Sequence, residues 1–220
     1  MATFRYFIFI ERSINKNMPK VGMEAARRQQ LIDATFASVS KHGMQASTIT
    51  TICREAGLST GLISHYFGNK QGLIEASLRY LLTQLHHYLV EHTHSEMSAQ
   101  QRLDVIVEAN FSRWHLRGDT SKTWLSFWAQ SLHNSSLRRL QQVSSRRLIS
   151  NLSFSFQQVM SQPDAQQSAH MAAAMIDGLW LRAVLGGYTD AQIVQSETFA
   201  KQYISSLITR YGECHNVPGL

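Results

Sequence analysis

The chain has 220 residues with 3 prolines and 12 glycines, and its formal charge is +6. That length buries a substantial core in one domain or two, and Cys53 and Cys214 lie too far apart in the chain to suggest a disulfide framework, which points to a reducing cytoplasm. No apolar run approaches the roughly 20 residues needed to span a bilayer, so no membrane partner is expected. The basic excess is uneven: residues 1–90 hold ten Lys/Arg against five Asp/Glu, and residues 91–220 hold eleven against ten. The first part therefore carries the charge that neutralising phosphates requires. A merely basic soluble protein would look the same by charge alone.

Residues 1–17 begin MATFRYFIFI. The run is short, Arg5 comes late in it and no small-residue cleavage site follows, so it reads as a disordered or artefactual upstream extension rather than a signal peptide. Glu24 to His42 reads as the first helix, with Ile32, Phe36 and Val39 along one face and Gly43 as its stop. Arg27 and Arg28 face outward, toward phosphates or, more commonly, solvent.

The stretch from Ser47 to Leu73, STITTICREAGLSTGLISHYFGNKQGL, reads as two short helices, a tight turn between them, and the opening of a third. Thr48 is suited to cap the first, because its hydroxyl accepts from a backbone N–H left free in the first turn. Ile49, Ile52 and Ala56 give that helix one apolar stripe. Gly57 stands where it must stop, at a position that often needs positive φ. Ser59 is suited to cap the second, which turns Ile63 and Phe67 inward. Thr60, Gly61, Ser64 and His65 are left outside, small or hydrogen-bonding and without a carboxylate. A short polar helix held by a glycine-containing turn is the helix-turn-helix arrangement, whose second helix enters the DNA major groove.

Lys70 opens a long helix with Ile74, Leu78, Leu81, Leu82, Leu85 and Leu89 at heptad-like spacing, joining the DNA-binding bundle to the rest. His86, His87, His92 and His94 crowd its end. No two of them have the i, i+4 spacing of a helical metal pair, so no metal and no cofactor is expected. Five more helical stretches follow: Ala99–Leu116, Thr120–His133, Ser135–Met160, one from Pro163 to about Leu185, and Ala191–Tyr211. Pro163 suits a first helical residue. Ala172, Ala173, Met175, Ile176 and Leu179 on the fourth, with Ile193, Phe199, Tyr203, Ile204 and Leu207 on the fifth, suggest a subunit interface; burial within one chain is the alternative.

Trp114, Trp124, Trp128 and Trp180 all lie in this second part. Trp124 and Trp128 are i, i+4 and share a face. Asp177 interrupts an apolar helix three residues before Trp180, and a buried carboxylate wants a cation or strong donors. Arg182 could meet that need. The sharper reading is a cage for a quaternary ammonium, which has no N–H and must be recognised by aromatic faces and a carboxylate. Tyr203 and Phe127 are weaker candidates.

The run T-I-x-x-I-C-x-x-A-G-L-S-x-G-x-I-S-x-Y-F-x-x-K-x-x-L resembles the DNA-binding signature of the TetR family. Cys53 stands where Ala is commoner and Ser64 where Tyr is commoner; a thiol packs as a small hydrophobe, whereas losing the Tyr alters the groove-facing set. MPKVGMEAARRQQLIDAT from Met18, LQQVSSRRLISNL from Leu140 and MIDGLWLR from Met175 are similar to the BetI-type repressors of choline-to-glycine-betaine genes. The resemblance spans Met18 to about Tyr211.

It implies an all-α fold: residues 18–70 as a three-helix DNA-binding bundle and residues 71–220 as a larger effector-binding and dimerisation bundle. It also implies a cytoplasmic homodimer that binds double-stranded operator DNA and responds to a small cation, choline. On that resemblance Thr48, Thr50, Tyr66 and Lys70 meet the DNA backbone, Thr50 reaching a base edge as an alternative, while Thr60, Gly61, Ser64 and His65 face the groove. No nucleophile elbow, paired catalytic acids, Gly-rich phosphate loop or Cys/His cluster suggests an enzyme. A TetR-type regulator of an efflux pump, and a helical interaction protein without a DNA role, remain as alternatives.

Overall fold

A computed structural model of the chain describes residues 20–112, 118–187 and 189–212, and among these residues nine helices and no strand occur. Residues 1–17 lie outside the described residues. The first helix, α1 (Lys20–Ala46), loses helical geometry at Gly43, where φ is 77° and ψ 164°. That conformation strains any side chain with a Cβ, so the stop falls at the glycine. Then come α2 (Ile49–Ala56), α3 (Gly61–Phe67) and the long α4 (Lys70–His92). The second part comprises α5 (Ala99–Phe111), α6 (Gly118–Ser131), α7 (Ser135–Phe156), α8 (Gln162–Leu185) and α9 (Asp190–Gly212).

Side-chain caps fix most helix starts. Thr48, Asn69, Ser98, Asn134 and Ser161 each accept a backbone N–H in the first turn that follows. The start of α3 differs from the sequence expectation, because Ser59 does not cap it. Thr60 precedes α3 with φ −62° and ψ −29° and makes no side-chain cap bond. The chain is already helical there, so the first turn closes through backbone bonds from Leu62 N–H to Ser59 O and from Ile63 N–H to Thr60 O, both 3.2 Å.

Leu31 and Phe36 of α1, Ile52 of α2, Ile63 of α3 and Leu73 and Leu78 of α4 form the core of the first bundle. Phe111, Phe127, Leu152, Phe156, Ile176 and Leu207 fill the second. Two connections join them. The first is α4, which packs on α1 and α3 at one end and on α5 and α7 at the other, and the second is a long contact between α1 and α6. Short side chains, Thr120, Ser121 and Thr123, are among those buried on α6.

The face proposed for subunit pairing needs correction. Ala172, Ala173 and Ile176 on α8, and Ile204 and Leu207 on α9, are buried within the chain, because α7 covers α8 and α5 covers α9. Leu185, Val194 and Phe199 on the same two helices stay exposed. No helix among the described residues is long and apolar enough to cross a membrane.

Candidate nucleic-acid interface and effector cavity

The helix-turn-helix is assembled from reciprocal bonds. At α2 the Thr51 N–H donates to Thr48 Oγ1 at 3.1 Å, and the Thr48 N–H donates to Thr51 Oγ1 at 2.8 Å. Gly57 ends α2 in the left-handed conformation, φ 63° and ψ 32°, and its N–H donates to Arg54 O at 3.2 Å. Cys53 is buried, and its Sγ lies 3.6 Å from Ser59 O across the turn. Thr48, Thr50, Thr60, Gly61, Ser64 and His65 are exposed, so each is free to meet a ligand from outside. Tyr66 and Lys70 are half-buried, and Lys70 Nζ lies 3.4 Å from the Met44 carbonyl.

Behind this surface, α1 holds both short helices by their last carbonyls, which have no partner inside the helix. Gln30 Nε2 donates to Ala56 O at 2.6 Å, closing α2. Arg28 Nη1 donates to Tyr66 O at 2.9 Å, closing α3, and its guanidinium lies 4.9 Å from the Phe67 ring centroid. Arg28, expected outward, is therefore committed to α3 rather than to phosphate, while Arg27 bonds Gln30 Oε1 at 3.0 Å. A buried hydroxyl chain adds a third tie: Ser38 Oγ donates to Ser47 Oγ at 3.0 Å, and Ser47 Oγ to Gly43 O at 2.8 Å.

In the second part, Trp124 and Trp128 of α6 and Asp177 and Trp180 of α8 line one cavity of about 80 Å³. The Trp128 and Trp180 rings lie 5.1 Å apart at 57°, making two walls of a box. Burial pushes the Asp177 carboxyl from its ordinary 3.8 up to about 6, and no cation among the described residues, Arg182 included, lowers it. Arg182 is exposed at the surface. Trp128 Nε1 and Gln141 Oε1 are buried without a hydrogen-bond partner among the described residues. The site thus offers aromatic faces, one carboxylate, one spare donor and one spare acceptor.

Of the sequence candidates, Trp114 lies outside the described residues. Phe127 is fully buried beside Trp124, at 5.4 Å between centroids, but faces the core, and Tyr203 also lies away from the cavity. His92 stacks on Tyr88 at 4.0 Å, and no group of three or more metal-ligating side chains converges among the described residues. Gln141 was missed. It belongs to a largely polar stripe on α7, with Ser144 and Asn151, interrupted by Leu148, at successive turns toward the cavity. In sequence that stripe is indistinguishable from a solvated helix face.

The family model for BetI-type transcriptional repressors, C-terminal, matches residues 99–209, and that for bacterial regulatory proteins of the tetR family matches residues 31–77. The chain is 46% identical over 197 residues to the HTH-type transcriptional regulator BetI 2 of Chromohalobacter salexigens, covering 89% of this chain and 95% of the relative. It is 47% identical over 192 residues to the HTH-type transcriptional regulator BetI of Klebsiella pneumoniae, covering 85% and 98%. Among solved structures, a TetR transcription regulator of Haloarcula marismortui superposes with a TM-score of 0.73 at 20% identity, covering 83% of this chain and 98% of that one. A protein of Saccharomonospora viridis, described as a transcriptional regulator in complex with choline, superposes with a TM-score of 0.71 at 23% identity, covering 82% and 96%. Both structures share the fold.

Proposed function

The chain belongs to the TetR family of bacterial regulatory proteins, in its BetI-type group of transcriptional repressors, and from that premise we propose that it is a choline-responsive homodimer acting on operator DNA in the cytoplasm. It is a regulator and not an enzyme. Residues 18–70 bind DNA, and residues 71–220 take the effector and pair the subunits. The genes it controls are those of choline-to-glycine-betaine conversion.

Two copies present α3 to successive turns of the duplex, about 34–36 Å apart. Thr48, Thr50, Tyr66 and Lys70 hold the backbone and set the register. Thr60, Gly61, Ser64 and His65 face base edges and carry sequence choice.

The observation that carries the effector reading is the content of the cavity: three indoles, one carboxylate, and a spare donor and acceptor. Choline has a quaternary nitrogen without an N–H and a single hydroxyl. The nitrogen suits the faces of Trp124, Trp128 and Trp180 and the charge of Asp177, each ring contributing on the order of 0.5–2 kcal/mol when desolvated. The hydroxyl donates to Gln141 Oε1 and accepts from Trp128 Nε1–H, relieving two buried groups at once. Trp114, the fourth tryptophan of this part of the chain, is proposed alongside them.

Binding acts by population shift: choline must favour an arrangement in which the two α3 helices no longer match the half-sites. Calorimetric titration with choline, with and without operator DNA, tests this. Saturable binding whose affinity changes when operator is present is the expected result. Binding of a bulky dye cation in preference to choline points instead to an efflux-type regulator.

A further inference from the structure

A second, open groove of about 340 Å³ runs on from the tryptophan cavity, and His86, Leu89, Ile106 and Asn151 line both. The charges along this combined space are unevenly spread. Among the described residues Asp177 is the one carboxylate on either lining, and it sits beside buried Ile176 and Trp180 on α8. Arg147 of α7 shares the cavity with Asp177, Arg102 of α5 lines the groove but not the cavity, and His86 of α4 lines both. Arg102 lies 5.3 Å from the centroid of the exposed Phe154 ring, stacked at the groove. No carboxylate is paired with Arg102 or Arg147 among the described ion pairs.

Choline, with its single positive charge, uses only the Asp177 end. We propose that the same site also accepts zwitterions that keep choline's trimethylammonium and hydroxyl and carry an anionic group further along the chain, toward Arg147 and Arg102. This rests on the cage reading above and extends it. The trimethylammonium takes the indoles and Asp177, and the β-hydroxyl takes Gln141 and Trp128. A carboxylate separated from the hydroxyl carbon by one methylene then leaves the cage toward Arg147 and Arg102, where a planar guanidinium suits it. A carboxylate placed where the hydroxyl belongs fails on two counts. It sits close to Asp177, and it brings no proton to Gln141 Oε1.

Carnitine, choline and glycine betaine are the probes, titrated calorimetrically into the full chain and into an Arg102→Gln/Arg147→Gln variant. Carnitine is expected to bind at least as tightly as choline, and glycine betaine roughly tenfold or more weakly, the usual scale of one misplaced charged hydrogen bond. In the variant, carnitine affinity is expected to fall roughly tenfold while choline affinity stays within about twofold, which also shows that the variant is folded. Choline binding without carnitine binding, or equal losses for both ligands in the variant, overturns the proposal and leaves the choline reading standing. Failure of all three compounds to bind overturns both.

Discussion

Asp177 is a buried carboxylate that no cation among the described residues stabilises, and this makes it the most informative single residue. Its carboxyl stands near 6 because burial disfavours the ionised form. A bound cation needs the ionised form, so choline affinity is expected to be full above pH 6 and to fall about tenfold per unit below it. Calorimetry at pH 7.5 and pH 5 measures this, and near pH 6 binding releases a proton whose heat varies with the buffer. The ligand-free fold responds in the opposite sense. Its carboxyl binds a proton more readily than in the unfolded chain, so its contribution to stability grows as pH falls from above 6 toward 3.8. That contribution is on the order of 3 kcal/mol. Asp177→Asn is expected to abolish both pH dependences and weaken choline by at least tenfold, readable in the same titrations and in thermal melts. On the DNA side, Lys70→Ala is expected to weaken binding to every sequence and to flatten the salt slope by about one. His65→Ala is expected to change which sequences are preferred, measured by competition among operator variants. That Asp177, Trp124, Trp128 and Trp180 are candidates could be seen in the sequence, because a carboxylate and large rings are conspicuous among apolar helical residues, and the fold lines one cavity with all four. Gln141 was not, because an amide on a polar stripe carries no mark of which way the helix faces.

Among the elements, α1 does more than its sequence announces. Its apolar face and its stop at Gly43 were readable from spacing and from the glycine. Its use of Gln30 and Arg28 to close α2 and α3 was not, since those bonds span 26 and 38 residues. A charged side chain near a helix start reads locally as solvated, and only the fold brings the Tyr66 carbonyl within reach of Arg28. Ser59 illustrates the converse, a cap residue left unused because the backbone preceding α3 was already helical. Arg28→Ala is expected to lower operator affinity by roughly tenfold, since it leaves a helix-end carbonyl unmet and frees the tilt of α3. Its salt slope should stay unchanged, whereas the loss of a phosphate contact would reduce it by about one. Gel retardation at three salt concentrations separates the two outcomes. The closing helices taught a different lesson. Small and apolar residues spaced for a subunit interface, Ala172 and Ala173 among them, were spent on the chain's own core, because periodicity identifies a buried face without saying what buries it.

At the scale of the whole molecule, function requires that two distant surfaces bias one equilibrium. On the proposed mechanism linkage makes the effect reciprocal: the factor by which choline is expected to lower operator affinity is the factor by which operator lowers choline affinity. Titrating choline into protein alone and into protein saturated with operator should yield that factor, and retardation with and without choline should yield the same one. The helical class and the two-part organisation could be read from the chain because glycine, asparagine and proline mark most helix ends. The contact between α1 and α6 could not, because it joins helices far apart in the chain, and short buried side chains such as Thr120, Ser121 and Thr123 resemble any helix surface. It matters, since α6 carries Trp124 and Trp128 to the cavity. The other connection, α4, has a consequence in plain mechanics. Its 23 residues measure about 34 Å at 1.5 Å per residue. Leu82, Leu85 and Leu89 touch the cavity at one end, and Asn69 joins α3 at the other. Leu85 stands about 22 Å from the α3 end, so a swing of about 8° pivoting at the cavity would carry that end through about 3 Å, close to the spacing of neighbouring base pairs. A molecule the size of choline need therefore push a helix aside only slightly for a leverage of this length to cost the dimer its footing on DNA.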